Sequence, residues 1–145
     1  MRKIDFEIEA IQIAIYANIV QEMLNRHKEL SLSKTVTFAY LIKADHYRLA
    51  SPYTAKNRQD IVNKAISMLA GEYESYCNSL GFILKAIHIL IERNIVSFDG
   101  ITLSLSNGAS VEKDLYSESP FLDSAIKESK RMSDRQFMKE VTACV

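Results

Sequence analysis

Apolar positions in the first 27 residues repeat with a helical period, and they form two stripes rather than one. At about 100° per residue, Ile4, Ile8, Ile11, Ile15 and Ile19 share one face, while Phe6, Ile13, Val20 and Leu24 line nearly the opposite one. Glu9 and Gln12 separate the stripes on one side, Asn18 and Gln21 on the other. The pattern predicts a helix over residues 4–27 that has to be covered on both faces. Either the rest of the same domain wraps it as a central helix, or one face belongs to a partner chain.

Further along, Ser31 or Ser33 is placed to cap a helix that carries Val36, Phe38, Leu41 and Ile42 up to the region of Asp45. Ser51-Pro52 breaks that helix, because proline disfavours helical backbone at the residue before it. A polar loop then leads into a helix over 58–70, with Ile61, Ala65, Met68 and Leu69 as its buried stripe and Gly71 as its punctuation. Residues 72–93 are helical in pattern, as two helices or as one bent near Gly81. The second half of that segment is apolar except for a narrow face of Gly81, Lys85, His88 and Glu92.

The helix runs directly into "IVSFDGITLSL". Residues 95–98 read as a strand, Asp99-Gly100 as a two-residue turn, and 101–105 as a returning strand with Ile, Leu and Leu at alternate positions. Asn107-Gly108 marks a turn in the loop that follows. Ser119 before Pro120 starts a helix over 121–131, and Ser133 caps a last short one. The expected fold is mainly α with a small β-hairpin, a single-domain helical bundle over 1–145. Its parts are the long helix at 4–27, a winged-helix-like core at about 31–106 and C-terminal helices at about 120–142.

A helix followed by a hairpin raises the question of DNA. Lys plus Arg number 18 and Asp plus Glu number 18, so the chain lacks the cationic excess that drives binding to a phosphate backbone. The exposed face of the helix before the hairpin offers one cation, Lys85, beside His88 and Glu92, which is a poor set for base edges. Asp99 stands at the hairpin tip, where a carboxylate repels phosphate. The most basic stretch lies elsewhere, with Lys43, Arg48, Lys56, Arg58 and Lys64 interleaved with His46, Tyr47 and Tyr53. A solvated loop of mixed charge has the same composition. Lys43, Arg48, Lys56 and Arg58 are the residues to test for nucleic-acid contact.

Catalytic and metal-binding signatures are missing from the sequence. His27, His46 and His88 fall in different elements, and none has a second His, Cys or acid at a metal-ligand spacing. GxxxxGK[ST], GxGxxG and GxSxG do not occur. The expectation is therefore no enzyme, no cofactor and no metal. Cys77 and Cys144 are far apart without CxxC spacing and read as unpaired thiols. Acids at positions 5, 7 and 9 interrupt any secretory leader, and no apolar run reaches the roughly 18 residues of a membrane span, so the expected location is the cytoplasm.

The layout as a whole resembles the middle component of three-component ABC ATPase systems, the group that includes Lamassu-type bacterial anti-phage defence. The resemblance rests on the apolar N-terminal helix, the "LSLSKTVTFAYLI" segment with its following Lys34, and the Pro-containing loop. The helix pair, the hairpin and the "SPFLDSAIKESKRM" helix then follow in the same order. Ser33 stands where that family's segment usually has proline. The resemblance implies a small non-catalytic subunit between an SMC-like ABC ATPase and an effector, often a nuclease, with DNA reached through the complex. On that reading Ile4, Phe6, Ile8, Ile13, Val20 and Phe98 are partner contacts. The alternative class is a homodimeric winged-helix DNA-binding transcription regulator, with the first helix as the dimer seam.

Overall fold

Nine consecutive residues, 34–42, are buried in the middle of one helix, and the rest of the fold is arranged around it. The computed structural model describes residues 2–45, 58–106 and 118–144. Among them the elements run α1 (Arg2–His27), β1 (Glu29–Ser31), α2 (Leu32–Asp45), α3 (Arg58–Ser67), α4 (Tyr73–Glu92), β2 (Val96–Phe98), β3 (Thr102–Leu105), α5 (Pro120–Ser129) and α6 (Asp134–Thr142). The mainly helical class with a small hairpin holds.

The helix wrapped on all sides is α2, not α1. It packs against α1, α4, α5, α6 and the strands β1 and β3. Its three buried polar side chains are each bonded: Lys34 Nζ donates to Met132 O (2.6 Å), Thr35 Oγ1 to Ser31 O, and Thr37 Oγ1 to Ser33 O while also meeting Tyr76 Oη at 3.0 Å. Those bonds make burial of so polar a stretch tolerable. Phe38 stacks on Phe137 of α6 with ring centroids 5.5 Å apart, which fixes the last helix to the centre. Neither expected cap is made: Ser31 Oγ and Ser33 Oγ are buried without a partner among the described residues.

A third strand, β1, joins the hairpin in the order β1-β3-β2, antiparallel throughout. Leu30 faces Leu103 across the register, and both are buried. Two helix ends set up the sheet in the same way. Lys28 (φ +73°) follows α1 and its N–H bonds Leu24 O, while Asn94 (φ +60°) follows α4. Around Asn94, the Ile95 N–H reaches Leu90 O and the Asn94 N–H reaches Ile91 O, the paired bonds of a Schellman stop. Each left-handed residue turns the chain from a helix straight into a strand.

The hairpin turn is shifted by one residue from the expected Asp99-Gly100. Asp99 and Thr102 close it, the Asp99 N–H donating to Thr102 O at 3.2 Å, so Gly100 and Ile101 are its central pair. Gly100 has φ +104°, which suits the first central position of such a turn. The Asp99 carboxylate accepts from the N–H groups of Ile101 and Thr102 at 2.8 and 2.7 Å. Those bonds pull its pKa below the usual carboxylate range. α4 is one unbroken helix through Gly81. Ser119 and Ser133 cap α5 and α6 as expected, accepting from Leu122 N and Gln136 N.

Candidate functional site

The first three turns of α1 leave the core. Downstream, Tyr16, Ile19, Val20, Met23, Leu24 and His27 are buried, whereas Ile4, Phe6, Ile8 and Ile11 are 59, 74, 52 and 57% exposed. Val20, expected at a partner surface, is fully buried against the domain's own core and offers nothing to a second chain. The reason is positional, since the core wraps α1 only from about residue 13 onward. Ile13 marks the boundary, half-buried and packed on the core. Glu9 pairs with Lys85 of α4, which ties the near side of the helix to the domain. Ile4, Ile8 and Ile11 lie on the opposite side at helical spacing, with half-buried Ile15 next in line. Single exposed apolar side chains are ordinary, but several in succession on one helix face mark a docking surface.

A smaller apolar feature sits at the hairpin, where Phe98 and Ile101 are exposed at 39 and 65%. Of the polar groups around it, Lys85 and Asp99 are already engaged, and His88 is exposed. Lys85 is bound to Glu9, His88 lies 3.8 Å from Glu92, and the Asp99 carboxylate is folded onto its own turn. Of the basic set, Lys43 lies over the ring of buried Tyr16, with Nζ 5.7 Å from the centroid. Arg58 is the first residue of α3. Arg48 and Lys56 lie outside the described residues, as do His46, Tyr47, Tyr53 and the Asn107-Gly108 turn.

One cluster was not legible from local spacing. His27 Nε2, at the end of α1, lies 2.8 Å from Glu118 Oε2 and 3.5 Å from Asp123 Oδ1, at the start of α5. Donor atoms of all three residues fall within 4.8 Å of one another, a separation compatible with a metal ion. The cations around them favour a different role. Lys127 Nζ is 3.0 Å from Asp123, Arg26 approaches Glu118 and Asp123 at 3.6 and 3.9 Å, and Lys130 donates to His27 O. Two carboxylates are thus balanced by two cations before any metal is added. The carboxylates also sit at the N-terminus of α5, where the helix dipole favours negative charge. The arrangement is a clasp that holds α1 to α5.

Burial alone pushes the Asp123 carboxyl up, but the Lys127 bond, with His27 and Arg26, outweighs it and leaves the group below its ordinary range. Lys34 moves down because burial disfavours its charge, only partly offset by Asp134. Cys77 and Cys144 are free thiols. Among the described residues no helix is long and apolar enough to cross a membrane.

No protein-family model matches the chain, and neither a curated protein sequence nor a solved structure matches it.

Proposed function

We propose that this chain is a non-catalytic bridging subunit of a bacterial anti-phage defence complex, joining an SMC-like ABC ATPase to an effector nuclease through protein–protein contacts. The observation that carries the reading is the bare first half of α1, where Ile4, Phe6, Ile8 and Ile11 are exposed on a helix whose second half is core. Aliphatic and aromatic side chains held on a rigid element are what a protein partner uses as anchors. The resemblance of the layout to the middle component supplies the class of partner. The order of helices and strands, with its β1-β3-β2 sheet, suits the winged-helix-like core of that layout.

That same order also favours the second reading, a homodimeric winged-helix transcription regulator. The engaged state of Lys85 and Asp99 and the charge balance count against it. Co-purification decides between them. The tagged chain is expressed with its neighbouring genes, and what elutes with it is identified by mass spectrometry. A large coiled-coil ATPase supports the bridging role. A lone dimer that retains DNA in a salt-sensitive manner overturns it in favour of the regulator.

A further inference from the structure

The exposed side of α1 has a finer pattern than apolar periodicity. Ile4, Ile8, Ile11 and Ile15 are spaced four, three and four, which is the a/d alternation of a heptad, with Ile8 and Ile15 at a and Ile4 and Ile11 at d. Phe6 and Ile13 then fall at f, diametrically opposite the seam. Ile13 packs on the domain's core and so, in part, does Ile15, so the seam faces outward from Ile4 to Ile11 and meets the core at Ile15. The exposures agree, since Ile4, Ile8 and Ile11 are each more than half exposed. The heptad positions that flank a seam, e and g, are occupied by Asp5, Glu7, Gln12 and Ala14. Asp5 and Glu7 are both exposed.

This register speaks to the occupant. In a coiled coil, e and g residues of one strand meet those of the other, and opposite charges there set partner choice. A second copy of the chain would bring Asp, Glu, Gln and Ala to those positions and no cation. A self-pair therefore leaves the two acids unmatched, whereas a helix with Lys or Arg beside its own apolar seam matches them. We infer that Ile4, Ile8 and Ile11 form one strand of a short heterotypic coiled coil whose other strand, on a partner protein, carries basic residues at its flanking positions. The inference rests on the reading of this chain as a protein-docking subunit and names the chemistry of the surface it docks.

The test uses the full chain and two designed helical peptides with Leu at every a and d position. One has Lys at e and g and the other Glu. Labelled peptide is titrated with protein at low salt and followed by fluorescence anisotropy, alongside sedimentation equilibrium of the protein alone. The Lys peptide is expected to bind saturably and at least about tenfold more tightly than the Glu peptide. Its binding should weaken as salt screens the flanking charges, and it should be lost in Ile8→Ser. Circular dichroism confirms that Ile8→Ser remains folded, since the residue is outside the core.

Equal binding of both peptides, no binding of the Lys peptide, or a protein dimer abolished by Ile8→Ser each overturns the inference. The co-purification above separates the two levels. If the ATPase is recovered and Ile8→Ser still retains it, the seam is wrong and the bridging role stands. If no partner is recovered while the Lys peptide binds, the seam stands and the bridging role fails.

Discussion

His27 Nε2 lies 2.8 Å from Glu118 Oε2, joining the end of the first helix to a residue 91 positions away. Both side chains are almost completely buried, at 1 and 4% exposure. A contact of this kind stabilises less through its own attraction than through the cost of leaving either member alone.

Glu118→Gln therefore removes a charge while keeping the side chain's shape. The expected loss is about 1–3 kcal/mol of unfolding free energy, read as a lower urea midpoint with an unchanged slope. Lys127→Ala, on a largely exposed side chain, should change the midpoint by less than about 1 kcal/mol. If the two variants behaved alike, the clasp would not be the element that joins α1 to α5.

Asp123 fixes the direction of the acid response. Its folded pKa lies below the ordinary value, so the unfolded state binds the proton more readily. The stability it contributes is present above the unfolded pKa of about 3.9 and is lost as pH falls through the lower folded value. Thermal midpoints measured from pH 6 down to about pH 2 should fall more steeply for the wild type than for Asp123→Asn, and the two curves should converge at the acid end.

Two glycines with equally open surroundings should respond in opposite directions. A Cβ added at Gly81 or at Gly100 meets nothing within 4 Å. Gly81 is helical, so Gly81→Ala is expected to raise stability by about 0.5–1 kcal/mol. Gly100 sits at φ +104°, where an L side chain is strained, so Gly100→Ala is expected to lower stability by about 1 kcal/mol. Denaturant midpoints of the pair against wild type separate conformation from space.

Features specified by neighbouring residues were legible in the sequence. The caps at Ser119 and Ser133 and the existence of the hairpin follow from spacing within a few positions. Features that depend on distant partners were not. Residues 29–31 are too few for a strand signal, and they become β1 only because β3 lies beside them. The turn slipped by one residue because both Asp99-Gly100 and Gly100-Ile101 place glycine in the turn, and only the register decides between them. The two stripes of α1 were visible, but the point where the core stops covering them was not. That point put Val20 inside and left Ile8 outside. The His27 clasp gave no local signal, since its members are dictated by how α5 docks.

The strand order also has a consequence for the timing of assembly. β3 is the central strand of the sheet yet the last of the three to be made, and β1 waits roughly seventy positions of chain for it. During synthesis Leu30 has no neighbour to pair with until Leu103 has left the ribosome, and α1 has no anchor at His27 until α5 follows. A fragment that stops before the hairpin would expose the apolar face of α2 and remain uncompleted, so the domain can close only when nearly the whole chain is present.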